Sequence, residues 1–288
     1  MTFDKQGISE LTKRFGLRAH KSLGQHFLAA PGVAGEIAEL SGADDRSFVV
    51  EIGPGLGALT TELAKRAAKV AALEADARLL PVLAYTLDGL GNVEVMKMDA
   101  LKADFGAMAA ANTGLKPLLC ANLPYNITTP LLTAILTPGC FERVTVMVQR
   151  EVAQRIAARP GTAAYGAFTL FVQNRADARI ALDVPASAFV PPPKVESSVL
   201  VLERVPLRCG HPLFEATVRA AFGQRRKQLI NALPAGLSVS REHAARALES
   251  CGIDLTARGE TLALEDFARL AQAIARQTHE GGKEEQVM

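Results

Sequence analysis

The sequence predicts an α/β fold with a largely parallel sheet, followed by a small all-helical domain. Three observations carry that expectation. From Ser47 to about Val201, short apolar runs alternate with amphipathic helical stretches, the pattern of strands covered on both faces. The run VVEIGPGLGALT, Val49 to Thr60, puts glycines at alternate positions where the first of these strands gives way to a helix. Beyond about Glu203 no strand pattern remains and only helical spacing continues.

Taken in order, Phe48 to Ile52, Val70 to Leu73, Val93 to Val95, Leu118 to Ala121 and Val144 to Val148 read as buried strands rich in Val, Leu and Ile. Between them lie amphipathic stretches such as Ala58 to Lys65, Ala77 to Leu87 and Thr129 to Leu136. Arg179 to Leu182 and Ser197 to Leu202 read as further strands, a hairpin at the sheet edge. In the second part, His211 to Phe222, Arg226 to Leu233, Arg241 to Glu249 and Leu264 to Ala275 have helical spacing, with Ser240 as the cap of the third. We expect a first domain over 1–204, a helical domain over 205–288, and a frayed tail from Gln277 onward.

The chain has 288 residues, 49% hydrophobic and 22% charged, enough for a sizeable core. Its net charge of +2 excludes a globally basic nucleic-acid binder, so any such surface must be local. Cys120, Cys140, Cys209 and Cys251 are scattered without C-x-x-C spacing. They argue against a zinc site or a disulfide framework and fit a reducing compartment. The polar first thirty residues contain no signal-peptide core, and no apolar run is long enough to span a bilayer. The expectation is a cytoplasmic protein without metal or membrane.

Gly53, Gly55 and Gly57 suit a turn in which backbone N–H groups approach a ligand. Gly53, Gly55 and Ala58 also satisfy G-x-G-x-x-A, so a dinucleotide such as NAD is a rival. Glu74, 21 residues after Gly53 at the end of the second strand, would hold ribose hydroxyls in either case. Two features favour S-adenosylmethionine. Glu51 precedes the loop, where its carboxylate would repel a pyrophosphate yet accept a sulfonium and an ammonium. Asp99, followed by Ala100 after the third strand, is placed to accept from an adenine amine. Each carboxylate alone is equally well a solvated strand-end residue; together they suggest a cofactor pocket.

The stretch CANLPYNITTP, Cys120 to Pro130, places Asn122, Leu123, Pro124 and Tyr125 at the carboxyl end of the fourth strand, where ligands of open α/β sheets gather. An ordinary strand-to-loop turn would look much the same. The exocyclic amine of adenine is a poor nucleophile because its lone pair is delocalised into the ring. The Asn122 side-chain carbonyl and the Leu123 backbone carbonyl would accept its two N–H bonds and turn the lone pair outward. Pro124 would hold the turn without a competing N–H, and Tyr125 would stack on the base. An unstacked adenine needs a second aromatic face, for which Phe189 in AFVPPPKVESSV is the candidate.

Read together, KSLGQHFL (Lys21 to Leu28), EIGPGLGALT, LEAD (Leu73 to Asp76), NLPYNITTP, VQREVAQRI (Val148 to Ile156), FVPPPKVESSV and AAFGQRRKQLINAL (Ala220 to Leu233) resemble the bacterial small-subunit rRNA adenine dimethyltransferase family, from about Lys21 to about Leu270. The resemblance implies a Rossmann-like class I S-adenosylmethionine-dependent methyltransferase domain with a helical C-terminal domain. The implied activity is dimethylation at N6 of two adjacent adenosines in the 3′-terminal hairpin loop of 16S rRNA, late in small-subunit assembly. It implies that Gln25, Gly53, Glu74, Asp99 and Asn122 contact the methyl donor, with Leu28 and Ala100 beside them, and that Tyr125 and Phe189 sandwich the adenine. His26 departs from the pattern, since many members carry Asn there; a hydrogen bond near the donor's carboxylate is the role we expect.

RNA binding requires local cations. Arg225-Arg226-Lys227 stand at an expected helix start, where the macrodipole disfavours positive charge. Lys5, Lys13, Arg14, Arg18 and Lys21 make the N-terminus basic, and Arg150, Arg155 and Arg159 form a further group. These would contact backbone phosphates while the pocket selects the base. The expected partner is small-subunit rRNA or the 30S precursor, bound by a monomer. A methyltransferase of large-subunit (23S) rRNA, an NAD-dependent oxidoreductase and a non-catalytic assembly factor are the other readings.

Overall fold

A computed structural model describes residues 2–18, 25–224 and 226–284. Lys21 and Arg225, two expected phosphate contacts, lie outside the described residues. The chain divides into two units, Met1–Ala153 with Asp177–Arg204, and Gln154–Ala176 with Val205–Met288.

The first unit is built on a sheet whose strands the apolar runs anticipate. They are β2 (Ser47–Ile52), β3 (Lys69–Glu74), β4 (Val93–Lys97), β5 (Lys116–Asn122), β6 (Arg143–Gln149), β7 (Ala176–Val184) and β9 (Ser197–Arg204), in the order β4-β3-β2-β5-β6-β9-β7. The five from β2 to β6 are parallel, and β9 returns antiparallel to β6. Every residue of β2 is buried, as a central strand covered on both faces demands. The covering helices are α2 (Pro31–Leu40), α3 (Ala58–Ala64), α4 (Leu80–Thr86), α5 (Phe105–Ala110) and α6 (Thr128–Leu136). Fully buried side chains such as Phe48, Leu63 and Leu118 each stabilise the unit by about 1.5–3 kcal/mol.

Several elements were not read from the sequence, among them α1 (Lys5–Arg14), β1 (Phe27–Leu28) and β8 (Phe189–Val190). α1 is capped by Asp4, whose carboxylate accepts from Gly7 N at 2.8 Å, and it buries Ile8 and Leu11 against Leu79 and Leu83. β1 pairs antiparallel with β8, Leu28 opposite Phe189, as a separate two-stranded patch. Two residues are too few to show alternation.

The second unit contains α8 (Ala167–Gln173), α9 (Phe214–Gly223), α10 (Leu229–Leu237), α11 (Arg241–Ser250) and α12 (Leu264–Glu284); α7 (Arg150–Ile156) straddles the division. Segment 154–176, expected in the first domain, groups here instead. Tyr165 and Leu170 are buried with Phe214, Leu233 and Phe267, and Tyr165 Oη donates to Leu262 O at 2.9 Å. Ser240 caps α11 by accepting from His243 N at 3.1 Å. α10 begins at Leu229, three residues later than expected, and α12 continues through Gln277 to Glu284 where fraying was expected.

Candidate active site

The chain runs from β2 outward through β3 and β4, then returns to lay β5 on the opposite side of β2. That reversal opens a crevice at the strands' carboxyl ends, the ligand position of doubly wound sheets. A cleft lies there. Its floor and walls include Ile52, Gly53 and Gly55 after β2, Glu74 and Asp76 after β3, Asp99 and Ala100 after β4, and Asn122 to Ile127 after β5, with Gln25 to Phe27 at one side.

The glycine loop earns its residues locally. Gly53 and Gly55 have φ of 69° and 60°, in the left-handed region where a Cβ is strained, and both line the cleft. Gly57, also expected to bind cofactor, does not line it. At φ 93° it caps α3, and a Cβ there would come within 2.9 Å of Thr86 Oγ1. Its role is packing between α3 and α4.

The three strand-end carboxylates divide. Glu74 lines the cleft, and its Oε1 accepts from Asp76 N at 2.8 Å. Burial pushes its pKa up to about 6. Asp99 is exposed at the cleft, one oxygen accepting from Leu101 N at 3.0 Å. Glu51 is only 1% exposed and does not line the cleft. Burial pushes its pKa up to about 8, and the Thr60 hydroxyl stands close enough to oppose that shift, though without a well-formed hydrogen bond. The structure therefore does not bring Glu51 to the cleft as the sequence suggested, and burial favours its protonated form. Glu51 Oε2 and Thr60 Oγ1 are both buried without a hydrogen-bond partner.

Beside the glycine loop, Asn122 closes β5, and its Nδ2 donates to His26 O at 3.4 Å. Leu123 is buried and its N–H is taken by Met147 O at 3.1 Å, which anchors the turn to β6. Pro124 O accepts from Thr128 Oγ1 at 3.1 Å. Tyr125 is half-buried, with Oη 2.6 Å from Ser197 Oγ. His26 lies against it, centroids 5.8 Å apart and planes at 23°, and donates from Nδ1 to Pro191 O at 2.7 Å.

Two expected site residues belong to the core. Phe189, expected as the second face for adenine, is 1% exposed among Leu28, Val49, Met147 and Val199 and does not line the cleft. Its pairing with Leu28 turns the ring inward. Leu28 is buried in the same cluster, and Gln25, His26 and Phe27 line the cleft in its place.

Among the expected phosphate contacts, Arg226 and Lys227 are exposed in the turn ahead of α10 rather than in its first turn. Arg155 is exposed. Arg150 is engaged by two carboxylates, Asp183 at 3.2 Å and Glu196, so its charge is already answered within the protein.

Sequence reasoning missed Asp76, Phe27 and Ser197. Asp76 accepts from Gln25 Nε2 at 2.9 Å and from Arg78, whose guanidinium holds the Asp76 carboxyl well below the usual range. Its place two residues after Glu74 was the available signal. Phe27 and Ser197 depend on pairings distant in sequence and gave none. Among the described residues no group of three or more His, Cys, Asp or Glu is arranged to hold a metal, and all four cysteines are free.

A glycine-lined cleft at the reversal of a parallel sheet, with acceptors at three strand ends and an Asn-Leu-Pro-Tyr turn, is the arrangement of a class I methyltransferase. The profile of the ribosomal RNA adenine dimethylase family matches residues 16–276, and the chain belongs to that family. A relative from Pelotomaculum thermopropionicum, ribosomal RNA small subunit methyltransferase A, is 44% identical over 280 residues, covering 93% of this chain and 95% of that protein. One of the same name from Ligilactobacillus salivarius is 44% identical over 276 residues, 92% of this chain and 93% of that protein. Among solved structures, a dimethyladenosine transferase from Plasmodium falciparum superposes with a TM-score of 0.75 at 25% identity, covering 86% of this chain and 97% of that one. The 23S rRNA methyltransferase ErmE follows with 0.65 at 28% identity, covering 85% and 97%.

Proposed function

We propose that this protein transfers methyl groups from S-adenosylmethionine to N6 of two adjacent adenosines in the 3′-terminal hairpin loop of 16S rRNA. The observation that carries the reading is a single cleft lined together by Gly53, Gly55, Glu74 and Asp99 and by Asn122 to Tyr125.

The residues present fit the donor. Gly53 and Gly55 leave backbone exposed where side chains would obstruct, and Ile52, Leu79 and Met98 offer apolar walls beside the acceptor Asp99. Glu74 would accept from ribose hydroxyls, Asp99 from the adenine amine, and Gln25, steadied by Asp76, would contact the polar tail. When bound, S-adenosylmethionine supplies an electrophilic methyl on a sulfonium. The protein's own part is orientation. Asn122 Oδ1 and Leu123 O would accept the two N–H bonds of the target amine, so its lone pair projects toward the methyl. Pro124 keeps that turn rigid, and Tyr125 holds the base plane. No strong base is required, and positioning of this kind lowers a barrier by up to about 7–11 kcal/mol.

The substrate class follows from the relatives named for the small subunit, while the likeness to ErmE makes large-subunit rRNA the second reading. Purified protein should label small-subunit particles lacking these methyl groups and leave protein-free 23S rRNA unlabelled; the reverse preference would overturn the assignment. Asn122→Ala should lower transfer by about 10²–10³-fold, as for loss of a placed dipole, while calorimetry still detects the donor. Among the described residues no helix is long and apolar enough to cross a membrane, and an rRNA substrate fits action in the cytoplasm.

A further inference from the structure

We infer that Ser197 is a positioning residue for methyl transfer, acting through the hydroxyl of Tyr125; the inference rests on the proposed stacking role of Tyr125. Tyr125 opens a short 3-10 turn, Tyr125–Ile127, beyond the end of β5, where strand pairing no longer holds the chain. Two contacts orient its ring: the face of His26 and the hydroxyl of Ser197 at 2.6 Å.

The two anchors differ in firmness. His26 is half-buried on the segment leading into β1, its ring bonded to Pro191 O and its carbonyl accepting a long bond from Asn122 Nδ2 at 3.4 Å. Ser197 is fully buried at the start of β9, in register with Gln149 of β6. β6 is in turn in register with β5, Met147 opposite Asn122. The phenol is thereby tied across the sheet to the framework that fixes Asn122.

Further bonds hold the serine's own segment. Arg150 N donates to Glu196 O at 3.0 Å, Ser198 Oγ donates to Asp183 Oδ1 at 2.6 Å, and Asp183 pairs with Arg150. A ring secured only at Cα and one face can rock about its side-chain torsions; one also secured at its hydroxyl presents a single plane. Such definition affects the rate of a reaction that depends on orientation more than it affects donor affinity. The proline segment that leads to Ser197 thus serves the base through Tyr125, while its own ring, Phe189, serves the core.

The test compares Ser197→Ala, Ser197→Thr, Tyr125→Phe and the double Ser197→Ala/Tyr125→Phe on undermethylated small-subunit particles with saturating S-adenosylmethionine. Each single hydroxyl deletion should slow single-turnover transfer by about 3–10-fold, the worth of one hydrogen bond, with donor affinity by calorimetry unchanged. The double variant should be no slower than the slower single variant, and Ser197→Thr, which keeps a hydroxyl, should recover most of the rate. Additive losses in the double variant, or full rate in Tyr125→Phe, would overturn the inference. If Ser197→Ala does not fold, Tyr125→Phe alone decides it. Tyr125→Ala at wild-type rate would instead reject the stacking role on which the inference rests.

Discussion

Two proline-bearing turns each carry an aromatic ring, and they dispose of it in opposite ways. After β5, Tyr125 stands half-buried at the cleft with its hydroxyl on Ser197. Ahead of the prolines at 191–193, Phe189 is 1% exposed in the core. The sequence cue was the same in both, a ring beside a proline turn near a strand. What differs is pairing. Tyr125 lies beyond the last paired residue of its strand, whereas Phe189 sits opposite Leu28, and that register directs its side chain inward. A motif places a turn; the strand partner decides which way its ring faces.

The largest effects that sharpen this contrast come from truncating the two rings. Phe189→Ala removes a buried ring from among Leu28, Val49 and Met147 and should cost about 3–5 kcal/mol of stability, seen as a lowered Tm. Tyr125→Ala, which leaves the buried Ser197 hydroxyl unpaired, should cost less stability, about 1–3 kcal/mol, and weaken productive binding of the target base by about 1–3 kcal/mol, read in kcat/KM for the particle. A Phe189→Ala protein of unchanged Tm with a selective catalytic defect would reverse the assignment.

The same physics explains what the sequence made legible. Apolar runs such as Phe48 to Val50 and Leu118 to Ala121 announce central strands because burial on both faces leaves little room for polar residues. Gly53 and Gly55 announce the loop because few other residues accept their φ angles. The Asn-Leu-Pro-Tyr turn follows directly from its strand, so its place at the cleft was legible too. Properties set by distant pairing were not. β1 and β8 are two residues each and about 160 apart in sequence, so Phe189 and the link from Ser197 to Tyr125 left no local trace. Segment 154–176 likewise lacks any composition break that would assign it to the helical unit.

Carboxylates repeat the contrast at smaller scale. Glu74 and Glu51 both end parallel strands, yet Glu74 reaches the cleft and Glu51 lies wholly beneath the loop. Burial raises the pKa of Glu51 from an ordinary 4.5 to about 8. Between those values the folded protein holds a proton that the unfolded chain has released, so the contribution of Glu51 to folding stability is fully present below pH 4.5 and is lost as pH rises toward 8. At about 1.4 kcal/mol per unit, the effect is on the order of a few kcal/mol at most. Glu51→Gln should flatten the decline between pH 5 and 8 in urea unfolding. An unchanged slope would mean that Glu51 is solvated and charged, and that it belongs with Glu74 as a ligand contact.

The cations supply the last and smallest contrast. Arg226 and Lys227 are exposed in the turn before α10, whereas Arg150 faces Asp183 and Glu196. A cation already paired within the protein releases few counterions when a phosphate approaches. Each free cation that does contact a phosphate steepens the fall of log K with log salt by about 0.7–0.9. Arg226→Ala and Lys227→Ala together should therefore flatten that slope for rRNA binding by between one and two, without altering donor affinity. Arg150→Ala should change the slope little. It should slow transfer instead, because the Arg150–Asp183 pair helps hold the segment carrying Ser197. If Arg150→Ala flattened the salt slope as much as the exposed pair, its ion pairs would have to open on RNA binding. The arginine would then belong with the phosphate contacts that its position in the sequence first suggested.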